Sequence, residues 1–296
     1  MIDIPDKWYK NRQIQAAIIG GIFAIIASIV GFQLYQEDTS FSSDSNLQVP
    51  ASARRAILAS VVNITCPQKD APFVYFAEEV ENMNDKDIPF SSGGSGTIIT
   101  SEGRVLTNHH VFLDDPEDAN SLNVHEKGCF IELRESEENR SDDIHELYVG
   151  KPVIVAEISY EYDLAFIDIY DVYTDREKIK HGYFPKVFPT YDLKDSPCID
   201  EALELGAPLE IIGYPISAGG YSITVTEGIV SASDEIDILT SANIADGNSG
   251  GLAIGNSGCF MGVPYASSGD GSGSLALIIP NSDVYEFLER AALLKE

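Results

Sequence analysis

The longest apolar stretch of the chain runs from Ala16 to Phe32, 17 residues in which Ser28 is the one polar side chain. Extended to residues 14–35, it is long enough to cross a bilayer as a helix, which takes roughly 17–25 residues. Lys7, Lys10 and Arg12 precede it, and Glu37, Asp38 and Asp44 follow it. Positive charge collects on the cytoplasmic side of a span. Residues 1–13 are therefore expected to be a cytoplasmic tail, with the bulk of the chain outside. A cleavable signal peptide is the alternative, but no small-x-small cleavage site stands between Gly31 and Ser40. Residues 36–50 are Ser-rich, acidic and aperiodic, and read as a linker.

Past the linker the pattern shortens. Ala51–Leu58 fits a turn or two of helix. Brief apolar or alternating runs bounded by Gly, Pro, Ser or Asn then predict strands. In the first half these are Ser60–Thr65, Ser95–Thr100, Arg104–Thr107, Cys129–Leu133, Lys151–Ser159 and Leu164–Tyr170. Residues 171–195 carry scattered charge and prolines and read as an inter-domain connection. In the second half come Leu209–Ile212, Ser222–Val225, Gly228–Ala232, Asp237–Thr240, Gly251–Ile254, Gly258–Val263 and Leu275–Ile279. Many short strands with turns between them mean an all-β sandwich or barrel. Val284, Phe287, Leu288, Ala291 and Leu294 recur at helical spacing, so 282–294 closes the chain as a helix with one face packed inward.

Composition narrows the partners. With 47 acidic against 19 basic residues, a net charge of -28, the chain lacks the basic patches that nucleic acid binding requires. The acidic clusters at 78–87 and 114–118 show no calcium-loop spacing and read as solvated loops, so no metal and no cofactor are expected. Cys66, Cys129, Cys198 and Cys259 match no zinc pattern. An extracytoplasmic site permits disulfides in any of three pairings, with buried thiols the alternative. Asn63-Ile64-Thr65 and Asn139-Arg140-Ser141 match the glycosylation sequon.

The chemistry centres on Ala245-Asp246-Gly247-Asn248-Ser249-Gly250-Gly251. Gly247 and Gly250 allow a turn barred to residues with a Cβ. Such a turn exposes the Ser249 hydroxyl and aims the N–H groups of Gly247 and Ser249 at one point, where they would stabilise an oxyanion. A serine nucleophile needs a base and a group to orient that base. His110, after one strand, and Asp163, opening another, are the candidates. His109 is expected to be structural or exposed, and His125, His145 and His181, which match no motif, to be surface residues.

Four stretches in order carry a resemblance. They are Gly94-Ser95-Gly96-Thr97-Ile98-Ile99, Val105-Leu106-Thr107-Asn108-His109-His110-Val111, Tyr162-Asp163-Leu164-Ala165 and Asp246-Gly247-Asn248-Ser249-Gly250-Gly251. Together they resemble the trypsin-like serine proteases, most of all the Deg/HtrA branch. The shorter matches Ser60-Val61-Val62-Asn63-Ile64, Ile212-Gly213-Tyr214-Pro215 and Val225-Thr226-Glu227-Gly228-Ile229-Val230-Ser231 point the same way. The resemblance implies two six-stranded antiparallel β-barrels, about 59–175 and 190–281, within a protease domain at 51–296 that acts on protein or peptide substrates. It implies His110 as base, Asp163 as its orienting acid, Ser249 as nucleophile, and Gly247 and Ser249 as the oxyanion hole. It puts Asn243 at the base of the specificity pocket, with Val263, Pro264, Tyr265 and Ala266 pairing with substrate backbone. No aspartate stands at the pocket base, so cleavage after Lys or Arg is not expected. Asn248 stands where digestive-type relatives carry an aspartate that pairs with a new N-terminus, so that activation route is not expected either. The 47 residues after Ser249 are too few for a PDZ domain. A protease-fold scaffold that keeps its triad but binds partners is the competing reading.

Overall fold

The computed structural model describes residues 49–73, 90–115, 118, 121–133, 146–173, 184–193, 198, 204–216, 222–234, 236–268 and 275–293. The expected tail, the span at 14–35, most of the linker, His145, His181, Asn139 and the acidic stretch 78–87 lie outside them. No helix among the described residues is long and apolar enough to cross a membrane.

Helix α1 (Ala51–Ser60) leads into the first six strands. These are β1 (Val61–Pro67), β2 (Phe90–Ile98), β3 (Arg104–Asn108), β4 (Cys129–Leu133), β5 (Glu146–Val153) and β6 (Leu164–Val172), with helix α2 (Ala156–Tyr162) between the last two. They close a barrel in the order β1-β2-β3-β6-β5-β4. Strands β7 (Pro208–Gly213), β8 (Thr224–Ser233), β9 (Ile238–Thr240), β10 (Leu252–Gly255), β11 (Phe260–Ser268) and β12 (Leu275–Pro280) close a second. Its order, β7-β8-β9-β12-β11-β10, repeats the topology of the first. Helix α3 (Asn281–Leu293) ends the described chain. All-β with a closing helix is thus the architecture, as expected.

Side chains alternate across a strand, and here both sides of several strands are buried. On β6, Ala165, Ile167 and Ile169 fill the first barrel, while Leu164 and Phe166 face the second barrel. On β7, Leu209 and Ile211 fill the second barrel, while Ile212 faces the first. On β10, Ala253 points into the barrel, and Leu252 and Ile254 point into the seam. The outward sets merge with Val284, Phe287 and Ala291 of α3 into one inter-barrel core. A strand buried on both faces reads as a continuous apolar run, which is why the polar alternation in these segments is weak.

Several boundaries differ from expectation. The strand expected at Lys151–Ser159 is Glu146–Val153, followed by α2. Ile158 and Tyr162, four apart, are both buried in the seam, a helical spacing that short alternation concealed. The two strands expected at Ser222–Val225 and Gly228–Ala232 are one strand, β8. Gly228 does not break it but permits a close approach: a Cβ there would lie 2.1 Å from the Ala242 nitrogen. Strand β11 begins two residues later than expected and runs on to Ser268, so Val263, Pro264, Tyr265 and Ala266 all lie within it. Asn63 of the first sequon is buried in the folded barrel, and its Nδ2 donates to Glu132 Oε2 at 3.2 Å.

The cysteines pair as Cys66–Cys129 and Cys198–Cys259, separated by 63 and 61 residues. The first joins neighbouring strands β1 and β4. The second ties the segment entering the second barrel to the start of β11, where Cys198 N–H also donates to the Phe260 carbonyl at 3.0 Å. Chain-entropy arithmetic for a loop of this length gives about 4 kcal/mol per bridge. Replacing Cys198 and Cys259 together by Ala should lower stability by about that amount, a fall of about 8–16 °C in Tm, read by thermal melts at neutral pH without reductant.

Candidate active site

Three segments meet at the mouth of the seam. Asp163 ends α2 in the left-handed region, at φ 52° and ψ 39°, the one non-glycine residue with positive φ among those described. Aspartate tolerates this conformation better than most residues. There its backbone turns back toward the end of β3. Its carbonyl accepts hydrogen bonds from His109 N–H at 3.1 Å and from Asn108 Nδ2 at 2.9 Å. Its carboxylate accepts from His110 N–H at 3.0 Å and meets His110 Nδ1 at 2.7 Å. A carboxylate can only accept, so Nδ1 carries the proton and Nε2 is left with its lone pair.

His110 lies on a short 3-10 helix, His109–Phe112, and is half-buried. Burial pulls its basicity down, but the charge and hydrogen bond of Asp163 outweigh burial, and the net shift is upward. His109 is buried at 3% exposure, and its Nε2 has no partner among the described residues. Burial lowers its pKa, against a smaller upward pull from Asp163, with His110 adding to the depression. His109 is thus a neutral structural residue and not an exposed one. His125 is half-buried, with its ring centroid 5.0 Å from that of Phe73.

The third segment is the turn carrying Ser249. Gly247 and Gly250 adopt φ of 98° and 83°, conformations that favour glycine. Asn248 N–H donates to Ala245 O, Gly251 N–H to Asn248 O and Gly250 N–H to Pro264 O, each at 3.0 Å. The Asp246 carbonyl accepts from Ile216 N–H at 2.7 Å. A planar trans peptide directs its C=O and N–H to opposite sides, so Gly247 N–H points away from Ile216. Neither Gly247 N–H nor Ser249 N–H makes a hydrogen bond among the described residues. The Ser249 hydroxyl donates to the Tyr265 carbonyl at 3.2 Å and not to His110. The two halves nevertheless touch: a Cβ on Gly250 would lie 2.2 Å from Thr107 Oγ1 and 3.0 Å from Asn108 N, on the segment leading to His110.

The residues expected to meet substrate divide. Tyr265 and Ala266 are half-buried on β11, past the point where β10 stops pairing with it at Gly262. Val263 and Pro264 are buried, Val263 inside the inter-barrel core. Asn243 is exposed, and its carbonyl accepts from Thr226 Oγ1 at 2.7 Å. Two participants were not singled out by sequence. Ile216 holds the Asp246 carbonyl through its backbone, which no side chain advertises. Ser95 stood in a quoted motif, but nothing in that motif marks its hydroxyl. No group of three metal-ligating side chains occurs among the described residues.

The two histidines make opposite contributions to stability. For His110, the folded pKa is raised, so its contribution is complete below the unfolded value and is lost as pH rises through the folded one. For His109, the folded pKa is lowered, so its contribution is complete above the unfolded value, ~6.5, and is lost as pH falls toward the folded one. His109→Gln should therefore show a shallower loss of Tm than wild type between about pH 7 and pH 5, read by melts across a pH series.

Comparison with known proteins agrees with this geometry. Residues 94–263 match the trypsin-like peptidase domain. Over 261 residues the chain is 24% identical to Protease Do-like 2, chloroplastic, of Arabidopsis thaliana, covering 84% of this chain and 35% of that protein. Over 313 aligned positions it is 27% identical to a probable periplasmic serine protease do/HhoA-like of Haemophilus influenzae, covering 95% of this chain and 57% of that protein. The chain thus spans between about a third and just over half of the curated relatives it matches. The chain belongs to the trypsin-like peptidase family, and within it resembles the Do-like serine proteases.

Proposed function

We propose that this chain is a serine endopeptidase, with Ser249 as nucleophile, His110 as base and Asp163 as the group that orients it. The observation that carries this reading is the Asp163–His110 pair at 2.7 Å beside a turn whose two oxyanion donors are unengaged. A disordered or inverted oxyanion turn would favour a scaffold, or a protease needing a trigger; the hydrogen bonds within 245–251 and from Ile216 support the formed turn.

In this reading a substrate strand lies along β11 at Tyr265 and Ala266. Its amide takes over the Tyr265 carbonyl, freeing the Ser249 hydroxyl to turn to His110 Nε2. Such hydrogen bonds commonly tighten only in the substrate complex. Ser249 Oγ attacks the scissile carbonyl carbon while Nε2 takes its proton. The carbonyl π electrons move to oxygen, and the N–H groups of Gly247 and Ser249 hold the resulting oxyanion. Collapse breaks the C–N bond, and His110 returns the proton to the leaving amine. Water then repeats the sequence on the acyl-enzyme and restores Ser249. With Asn243 at the pocket base and no carboxylate there, a small or medium apolar residue before the scissile bond is the expected preference.

The sequence and the disulfides support the setting proposed for this chain. Segment 14–35 anchors the chain in a membrane, with 1–13 cytoplasmic, 36–50 as spacer and 51–296 as the extracytoplasmic protease domain. Two disulfides are ordinary in an oxidising compartment and rare in a cytosolic protein. The relatives named chloroplastic and periplasmic fit such a location. Protein quality control or surface-protein processing is the role this arrangement suits.

The test is labelling of the full chain with a fluorophosphonate, compared with Ser249→Ala. Labelling is expected in wild type and absent in the variant; an unlabelled, folded wild-type chain would overturn the reading. The labelling rate should rise with pH through a midpoint above the ordinary histidine value of ~6.5, because Asp163 holds the His110 pKa up. Asp163→Asn should lower kcat by about 10⁴.

A further inference from the structure

Ser95 has no part in the triad, yet it is fully buried at the point where the two barrels meet. Four hydrogen bonds converge on it. Its N–H donates to the Ser249 carbonyl at 2.8 Å, and its carbonyl accepts from Thr107 Oγ1 at 2.7 Å. Its hydroxyl donates to the Gly247 carbonyl at 2.6 Å and accepts from Tyr214 N–H at 2.8 Å.

The two bonds of the hydroxyl close a ring. Gly247 lies on the nucleophile turn, and Tyr214 lies on the segment leading out of β7. Two residues beyond Tyr214, Ile216 N–H holds the Asp246 carbonyl at 2.7 Å. Asp246 and Gly247 share the peptide whose N–H is the first oxyanion donor. Ile216 holds that peptide through its carbonyl, and Ser95 holds the carbonyl of the next one, Gly247–Asn248, on the other side of the Gly247 Cα, and also fixes the segment carrying Ile216. Packing allows little slack: a Cβ on Gly247 would lie 2.5 Å from the Tyr214 carbonyl, and one on Gly213 would lie 2.9 Å from Ser95 Oγ.

We propose that Ser95 is a positioning residue, whose hydroxyl on the first barrel locks the oxyanion turn of the second barrel in its open, donor-ready geometry. The role rests on the peptidase reading above. It predicts a penalty in the transition state, where the oxyanion exists, and little penalty in substrate binding. Complete loss of one oxyanion donor costs about 10²–10³ in kcat. Ser95→Ala loosens the donor without deleting it, so its expected cost is about ten- to a hundredfold.

A purely structural serine would lose stability alone, so the experiment pairs two Ser→Ala changes in the full-length chain. Ser60 is equally buried, and its hydroxyl donates to the Ile57 carbonyl at 2.7 Å, where α1 passes into β1. For wild type, Ser95→Ala and Ser60→Ala, the thermal midpoint, kcat and KM on a fluorogenic peptide with an apolar residue before the scissile bond, and the Ki of the matching peptide boronate are measured. Both variants should melt lower than wild type. Only Ser95→Ala should lose kcat, with KM within about twofold, and its boronate should weaken by the same factor as kcat/KM. Should Ser95→Ala fail to fold, Ser95→Cys, with a side chain of similar shape but a weak donor, is read in the same way. Unchanged kcat in the folded Ser95 variant, or an equal loss in Ser60→Ala, overturns the positioning role and leaves the peptidase reading standing. A wild-type chain that neither cleaves nor labels overturns both.

Discussion

A hydrogen bond from Ser95 N–H to the Ser249 carbonyl, 2.8 Å long, joins the main chains of the two barrels. Its existence requires the two backbones to come closer than side chains normally permit. Gly94, Gly213 and Gly250 supply the room: a Cβ on each would lie within 2.9, 2.7 and 2.2 Å of atoms across the seam or turn. Since His110 and Asp163 belong to the first barrel and Ser249 to the second, their mutual geometry follows from this contact. The apolar seam of Leu106, Phe166, Ile212, Leu252 and Phe287 provides the burial that holds the barrels together. The polar contact sets where they register, because apolar packing is non-directional and hydrogen bonds are not.

The first barrel carries the electrostatic half of the site on a single residue. Asp163 caps α2 in a left-handed conformation and offers both its carbonyl and its carboxylate to the 108–110 segment. One carboxylate beside two adjacent histidines produces opposite results because their surroundings differ. His110 gains a hydrogen bond to Asp163 and is shifted upward. His109 has no such bond, is more deeply buried, and is shifted downward. The site therefore keeps one imidazole ready to accept a proton next to one held neutral.

Much of this was legible in sequence where the signal is local. Cys129–Leu133 was read at its observed bounds because five buried residues between polar loops leave no other choice. The glycine turn around Ser249 was legible because positive φ at two positions demands glycine. The run at 151–159 misled because Ile158 and Tyr162 pack on the seam with helical spacing, while a seven-residue helix offers too few turns for periodicity to emerge. Gly228 misled because a glycine that admits Ala242 looks the same as a glycine that ends a strand. Ser95 and Ile216 went unread for a related reason. The partners of the Ser95 hydroxyl and of Ile216 N–H are backbone groups 30 or more residues away, and no residue type encodes a partner of that kind.

Asn248 shows what keeps the Ser249 turn in shape. It is 2% exposed, at the position where an acid in digestive-type relatives would pair with a cationic N-terminus. An ionised carboxylate at this depth needs such a partner, since burying an unpaired charge is far more costly than burying an amide. A neutral side chain removes that requirement. The turn is instead held by main-chain donors, from Asn248 to Ala245, Gly251 to Asn248, Gly250 to Pro264 and Ile216 to Asp246, and by the Ser95 hydroxyl. Three of these bonds stay within the turn or reach β11, whereas the last two reach 214–216 and β2. The orientation of the Asp246–Gly247 peptide therefore depends on where 214–216 sits and not on a buried ion pair. A displacement of that segment would release the Asp246 carbonyl and, with it, the hold on the Gly247 N–H.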